Sequence, residues 1–519
     1  MEIVEISTIM KVLFGAILVI LVHILNILVL RPKSLRAKLQ RQGINGPSPH
    51  FYFGNIPEMK RLVQENNNGV STSISHHNWH SNLFPYIYEW RKQYGPIFLF
   101  SAGSIQWLLV TDIDMVKEIV LYTSLNLGKP SFMSKDNKPL LGKGIISSNG
   151  QHWAHQRKII APELYQEKMK AKVNMMVDST NELLRSWDTK LKKDGDGIEI
   201  KIDPDVRNLL FDVIAKTCFG SSYVEGREIF TKFRELQNII SKEIAGIPGY
   251  RYLPNKTNRQ MWKLEKEINS KISKLIKKRQ NDARDEQDLL QMILDGAKKC
   301  DSGGSILPNS ISRDMFIIDN CKNIFFAGYD TTSNAASWCL MLLSMHQDWQ
   351  DRARAEVLEV VGKDGNVDAS MLKSLKMLTM VIQETLRLYP PASSLYREVY
   401  EDIVFKGLLV PKGTNIHIPM PILHQDSKLW GDDAHEFNPE RFANGVQGAC
   451  KIPQVYMPFG MGSRICVGQH LAMVELKVML SLILLKFRFS ISPSYRHSPS
   501  FHMLIAPGGD GVVVNMTRV

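Results

Sequence analysis

Residues Phe459 to Ala472 read FGMGSRICVGQHLA, and the rest of the chain is organised around them. One cysteine, Cys466, sits in a loop with Gly460, Gly462 and Gly468. These glycines allow tight turns and close backbone approach to a flat ligand. The apolar run after Val467 predicts a buried helix. A sulfur just ahead of a helix N-terminus meets free backbone N–H groups and the positive end of the helix dipole. Arg464 adds a positive charge two residues upstream. The expectation is a thiol of lowered pKa, suited to be a nucleophile or a metal ligand. A buried structural thiol is the competing reading, because free cysteines are commonly buried.

Four other segments carry polar residues at telling spacings. Ile311 to Met345 is long and largely apolar, which predicts a central buried helix. In its middle stands Ala327-Gly328-Tyr329-Asp330-Thr331-Thr332, where the small pair leaves room beside the helix. Asp330 and Thr331 cost free energy there unless paired or used. A threonine hydroxyl bonded back to an upstream carbonyl is the plain account. Met380 to Leu388 predicts a helix with Glu384 and Arg387 three apart, able to pair on one face. Pro439-Glu440-Arg441-Phe442 supplies a third charge. Trp153 and Arg157 stand four apart in HWAHQRKIIAPEL, on one helical face. A guanidinium there suits a carboxylate, or simply stacks on the indole.

Phe459, Gly462, Arg464, Cys466 and Gly468 resemble the haem-binding loop of the cytochrome P-450 family, F-x-x-G-x-R-x-C-x-G. The W-x-x-x-R, A-G-x-D-T-T, E-x-x-R and P-E-R-F segments occur in that family's order, so the resemblance covers residues 31 to 519. It implies a mainly α fold with small β-sheets. Haem would lie between the Gly328 helix and the helix after Cys466. The implied cofactor is haem b (iron protoporphyrin IX) with Cys466 as the metal ligand. Phe459, Arg464 and Gly468 would surround it, with Trp153, Arg157 and Arg397 at its propionates. Thr331 with Asp330 would deliver protons, and Glu384, Arg387 and Arg441 would hold the haem loop in place. The implied reaction inserts one atom of O2 into a hydrophobic small molecule. The chain has no G-x-G-x-x-G fingerprint, so electrons would come from a separate NADPH-cytochrome P-450 reductase docking on a basic surface near Cys466. GINGP, SSNGQHWAHQRKIIAPE, LPNKTNRQMWKLEKEI and CKNIFFAGYDTTSNAASWCLMLL resemble the plant group that contains gibberellin oxidases. That implies hydroxylation or epoxidation of a gibberellin or related ent-kaurane diterpenoid, with a triterpenoid as the alternative.

The totals agree with a large globular protein: 519 residues, 44% hydrophobic and 22% charged. The net charge of +12 suits an anionic membrane surface or an acidic protein partner. No nucleic-acid motif is present, so nucleic acid is not an expected partner. The six cysteines lie far apart without a C-x-x-C pair, which fits reduced thiols facing the cytosol.

Val12 to Leu30 is a 19-residue apolar run, about the minimum for a membrane span. Arg31, Lys33, Arg36, Lys38 and Arg41 follow it, and only Lys11 precedes. The positive-inside rule then leaves the bulk of the chain in the cytosol. The run is long for a signal peptide and no A-x-A-like cleavage site follows. The expected layout is an anchor over 1–30 in contact with membrane lipid, a basic Pro/Gly hinge over 31–50, and a catalytic domain over 51–519. The expected location is the endoplasmic reticulum membrane, single-pass.

Phe84 to Tyr94 predicts a helix, Pro96 to Phe100 and Ile105 to Thr111 two strands, and Asp112 to Tyr122 another helix. His76, His77 and His80 fall in a polar stretch that reads as a solvated loop. Three rival functions remain on the sequence. One is a non-catalytic membrane-anchored haem-binding protein. Another is an isomerase of hydroperoxides, for which Asp330 and Thr331 have no use. The third is a cysteine hydrolase, which needs a base such as His470 with an orienting partner.

Overall fold

The computed structural model describes residues 2–67, 77–194, 197–220, 223–242, 250–281, 288–301 and 312–519. Helix α1 spans Glu2–Leu25 and passes through a π-turn at Asn26–Leu30 into α2, Arg31–Gln40. Among the described residues this is one helical stretch long and apolar enough to cross a membrane, and it is unburied. The sequence expectation of a hinge over 31–50 differs in its first half. Residues 31–40 are helical, and Leu39 at the end of α2 is fully buried against the globule. Arg36 donates to the carbonyls of Gly46 and Pro47 at 2.9 and 2.7 Å, so the Gly/Pro segment folds back onto α2.

The body is mainly helical. Beyond α2, the helices that build the site are α3 (Gly150–Ile160), α4 (Val173–Asp194), α5 (Ile202–Phe219), α6 (Tyr223–Ser241), α7 (Arg313–Met345), α8 (Lys376–Leu388) and α9 (Gln469–Lys486). α4, α5, α7 and α9 pack together as the centre of the largest core. α7 and α9 are buried on nearly every face, as their apolar sequences require. Ser312 caps α7 by accepting from the Met315 amide at 3.3 Å, the expected use of a serine at that position. α5 begins at Ile202. Pro204, with Asp203 and Asp205, makes a favourable first turn.

A five-stranded sheet packs beside this bundle. Its strands β1 (Ile97–Ala102), β2 (Ile105–Val110), β3 (Leu127–Gly128), β4 (Ser394–Val399) and β5 (Asn415–Pro419) lie in the order β1-β2-β5-β4-β3. The β1–β2 hairpin matches the expectation for residues 96–111 to within two residues at each end. β4 follows the Pro390-Pro391 pair that ends α8, where the sequence analysis gives no strand. Its alternating burial is nevertheless the pattern of a half-buried strand. A three-stranded sheet joins Ile198–Lys201 and Phe487–Ile491 to either side of Val513–Arg518.

Glu384 and Arg387 on α8 lock these layers together. Both side chains are wholly buried, and Arg387 Nε and Nη2 donate to the two Glu384 oxygens at 2.7 and 2.8 Å. The remaining guanidinium hydrogens reach the carbonyls of His424, Ala434 and Glu436. All five arginine donors are therefore used. Arg441 closes the set, with Nε 3.4 Å from Glu384 and Nη1 and Nη2 donating to Trp430 and Asp433 carbonyls. These residues pin the segment that leads into the cysteine loop.

His77 and His80 are not in a solvated loop. Both are buried, beside the short helix Trp79–Leu83. His77 Nδ1 is 2.8 Å from the Tyr389 hydroxyl, which in turn is 3.0 Å from His497 Nε2. Trp79 stacks on Tyr389 and donates to the Leu388 carbonyl. The indole covers the polar groups from water, which hydropathy along the chain does not reveal. His76 lies outside the described residues.

Candidate functional site

The loop before α9 is shaped by two glycines of positive φ. Gly460 has φ 71° and Gly462 φ 72°, values that carry little strain only without a Cβ. A Cβ on Gly462 would also lie 2.0 Å from the Val120 carbonyl oxygen, so the loop touches the helix Ile113–Leu121 backbone to backbone. Cys466 N donates to the Phe459 carbonyl at 2.8 Å, closing the loop on itself. Gly468, the residue ahead of α9, has an ordinary φ of −92°. A Cβ there would stand 3.9 Å from the Cys466 sulfur, an ordinary contact, so neither backbone strain nor crowding within the protein demands glycine at this position.

Cys466 opens into a cleft between α7 and α9 that encloses about 1540 Å³ of empty space, part of it open to solvent. The surface it exposes faces the cleft, while protein surrounds the sulfur on its other sides. Desolvation therefore pushes the thiol up from its ordinary pKa, against smaller pulls from the Gly468 N–H, Arg157 and Lys129. The lowered pKa expected from the helix dipole is overturned by burial. A metal ion at the sulfur reverses that balance, because coordination deprotonates a thiol.

Thr331, Trp153, Arg157, Arg397, Phe459, Arg464, Cys466 and Gly468 all line this one cleft. Asp330 does not. Consecutive helical residues point about 100° apart, and Asp330 turns toward α5 and α6. Its Oδ2 accepts from Gln237 Nε2 at 2.6 Å, and Arg207 Nε lies 3.8 Å from Oδ1. Burial pushes the Asp330 carboxyl up, partly offset by Arg207, Gln237 and Arg234. Thr331 Oγ1 donates to the Ala327 carbonyl at 2.7 Å, the plain bonding pattern of a helical threonine. The space beside Gly328 is filled by Ile214 of α5, whose Cδ1 would be 2.4 Å from an added Cβ. That glycine allows α5 and α7 to approach, and Ala327 and Thr331 face the cleft beside it.

Four cations meet at one side of the cleft: Lys129, Arg157, Arg397 and Arg464. Among the described residues no carboxylate pairs with any of them. Arg157 donates to the Ile465 carbonyl at 2.8 Å, Arg464 to the Ser148 carbonyl at 2.9 Å, and Arg397 to the Tyr396 carbonyl at 2.9 Å. Arg464 also packs on the Trp153 face. Burial and the neighbouring Arg397 and Arg464 bring Lys129 down to about 7. Arg464 falls to about 9, mainly through burial, with Arg397 also pressing it down. Such crowding is costly unless an anionic group joins it. A flat apolar macrocycle with two carboxylates fits this donor set. The thiol would hold its metal and the four cations its acid groups, with Phe459, Ala327 and Leu471 against its faces.

Two cleft residues have no signal in the sequence. Lys129 stands in an undistinguished LGKPS segment, and only the pairing of β3 with β4 brings it beside the cysteine loop. Glu475 on α9 is buried in the cleft wall, and neither carboxyl oxygen has a hydrogen-bond partner. Burial pushes this carboxyl well up; the Thr332 hydroxyl pulls weakly the other way without reaching bonding geometry. On the far side of the cysteine loop lies a second hollow, walled by Gln383, Gln447, Gln454, Gln469, Met461 and Met473. Among the described residues no lysine or arginine lines it, so this hollow does not supply the basic docking surface expected near Cys466.

The family model described as Cytochrome P450 matches residues 45–511. Cytochrome P450 714C2 of Oryza sativa subsp. japonica is 49% identical over 495 residues, covering 94% of each chain. Cytochrome P450 714A2 of Arabidopsis thaliana is 42% identical over 504 residues, covering 95% of each. Cytochrome P450 714B3 of Zea mays is 42% identical over 510 residues, covering 96% of this chain and 93% of its own length.

Proposed function

The chain belongs to the cytochrome P450 family, and from that premise we propose that it oxidises a bulky terpenoid with haem b held at Cys466. Its class is that of a haem-thiolate monooxygenase, using O2, a redox partner and a small-molecule substrate. The observation that carries the cofactor reading is a set of four cations, Arg397 buried and Lys129, Arg157 and Arg464 part-buried, that have no carboxylate partner among the described residues and lie on one side of the cleft that Cys466 opens into. Haem, when bound, supplies the activation of dioxygen, and a thiolate ligand favours O–O cleavage.

The chain's own residues do the rest. Cys466 is the metal ligand, and the closed loop around it leaves the sulfur open only toward the cleft. Arg157, Arg397, Arg464 and Lys129 bind the acid groups, and Trp153 holds Arg464 flat. Thr331 offers a hydroxyl at the cleft wall for proton transfer. Asp330 is the acid behind it, held by Gln237 and Arg207 on the side away from the cleft. Glu384, Arg387 and Arg441 hold the loop in register.

The cleft wall beyond Thr331 is apolar, with Ile145, Ile146, Ile324, Ala392, Leu395 and Met420. This favours a rigid hydrophobic substrate. The resemblance to the plant group of gibberellin oxidases, together with the Cytochrome P450 714 relatives, favours a gibberellin or related ent-kaurane diterpenoid, hydroxylated or epoxidised. A triterpenoid is the second reading on the same apolar wall. Electrons come from NADPH-cytochrome P450 reductase at the endoplasmic reticulum, with α1 in the bilayer and the globule in the cytosol.

The test is the reduced, carbon-monoxide-bound absorption spectrum of membranes containing the chain. A strongly red-shifted Soret band is expected, and Cys466→Ser abolishes it. Turnover of gibberellins and triterpenoids with reductase and NADPH then decides the substrate. A folded protein without the band refutes the haem-thiolate reading.

A further inference from the structure

Asn149 immediately precedes α3, where an asparagine side chain ordinarily accepts from the helix's free amides. Here it caps nothing. Its carboxamide turns away from the helix and makes four other bonds. Oδ1 accepts from the Lys129 amide at 2.6 Å and from Arg464 Nη2 at 3.0 Å. Nδ2 donates to the Lys129 carbonyl at 2.9 Å and to the Tyr400 hydroxyl at 2.7 Å. This is the full bonding capacity of an amide.

The orientation is determined by chemistry. A flipped amide would set its NH2 against an N–H and a guanidinium, and its oxygen against a carbonyl. Gly128 makes room for the arrangement, since a Cβ there would lie 2.2 Å from Asn149 Oδ1. Tyr400 braces the same point by donating to the Lys129 carbonyl at 2.8 Å. One side chain thus fixes the backbone of Lys129 and the head of Arg464, two of the four unpaired cations in the cleft.

We propose that Asn149 is a positioning residue for the anion-binding side of the cleft, holding Lys129 and Arg464 in the arrangement that receives a carboxylate of the cofactor. This rests on the haem reading. It deepens that reading by naming a neutral side chain that touches no charge on the ligand, yet sets the direction of two that do. Aspartate cannot replace it, having no donor for the Lys129 carbonyl or for Tyr400. Alanine removes all four bonds, leaving the Tyr400 hydroxyl as the remaining brace on the Lys129 carbonyl.

The test uses the haem-loaded full chain in detergent. Haem transfer to excess apomyoglobin, the midpoint potential and the thermal midpoint are measured for wild type, Asn149→Ala, Asn149→Asp and Asn258→Ala. The last removes a buried amide bonded to the Tyr250 and Leu253 carbonyls, far in sequence from the cleft residues. Asn149→Ala removes the hydrogen bond that holds the charged head of Arg464 together with those that fix the Lys129 backbone, so it should release haem about tenfold faster. Its potential should also shift, while the thiolate band is kept. Asn149→Asp should not restore the wild-type rate. Asn258→Ala should lower the thermal midpoint without changing haem release.

If Asn149→Ala fails to fold, Tyr400→Phe, which removes one brace, should quicken haem release in the same direction. Haem release and potential equal to wild type in Asn149→Ala, or in Tyr400→Phe where it is the variant that folds, overturn the proposal. No thiolate band in the wild type removes the haem reading, and this proposal with it. A band in the wild type with unaltered Asn149→Ala removes the proposal alone.

Discussion

The guanidinium carbon of Arg464 lies 3.8 Å from the centroid of the Trp153 ring, while Arg157, one helical turn beyond Trp153, stands 5.7 Å from it. The two residues of the W-x-x-x-R segment are thus not equivalent. The indole serves mainly as a plate for the arginine of the cysteine loop. Desolvated cation–π contacts of this kind are worth about 2 kcal/mol. Trp153→Leu should lower haem occupancy several-fold at equal protein, read from the reduced carbon-monoxide spectrum, and Trp153→Phe should fall between. Full occupancy in Trp153→Leu would mean that Arg464 needs no plate.

Glu384→Gln should be far more damaging than its distance from Cys466 suggests. It leaves Arg387 and Arg441 without their shared carboxylate in a site closed to water. Breaking one side of a buried pair costs about 3–5 kcal/mol, so the variant should lose most of its folded, haem-loaded fraction in a thermal melt. Arg387→Lys should not rescue the fold, because an ammonium cannot serve the carbonyls of His424, Ala434 and Glu436 along with both carboxylate oxygens. A thermal midpoint near wild type in either variant would contradict this role.

Thr331→Ala removes one hydroxyl, bonded to the Ala327 carbonyl, from a helix that needs nothing from it. The thiolate band should be unchanged, with NADPH consumption diverted to peroxide. Normal coupling of NADPH to product would rule out the hydroxyl as a proton carrier. Asp330→Asn should slow turnover with a larger solvent isotope effect, since Arg207 and Gln237 then face a neutral group that holds no exchangeable acid proton.

Acid should destabilise the protein from just below neutrality. Burial holds His80, His417 and His424 down to about 3. Each is neutral in the folded chain while its unfolded counterpart protonates below about 6.5. Their contribution is fully present above that pH and is lost as pH falls toward 3. Each adds a slope approaching roughly 1.4 kcal/mol per pH unit. His417→Gln, which keeps a partner for Ser394, should flatten the stability curve between pH 6 and 4 relative to wild type. An unchanged slope would mean that His417 takes up its proton without unfolding.

What was legible in the sequence is what chemistry ties to fixed spacing. Glu384 and Arg387 must be three apart to meet on one face, and Cys466 must follow glycines of positive φ. Trp153 and Arg157 belong to a single helix, so their shared cleft could be foreseen. Lys129 could not. Its place depends on a two-residue strand pairing with β4, some 270 positions away in the chain, and β4 itself hides behind two prolines. The separation of Asp330 from Thr331 was within reach, since adjacent helical residues diverge by about 100°. The burial of His77 and His80 was not, because it depends on Tyr389, some 310 positions away, closing over them beside Trp79 and Tyr88. The Cys466 thiol was misjudged because the helix dipole is a local property, whereas desolvation is set by everything packed around the loop.

The end of α2 leaves no slack between the apolar N-terminal helix and the globule. Leu39 is sunk into the core, and Arg36 grips the carbonyls of Gly46 and Pro47. With α1 seated in a bilayer, a tilt of that helix becomes a rotation of the whole body, as a keel turns a hull. The height of the cleft above a bilayer that held α1 would then be a built-in length.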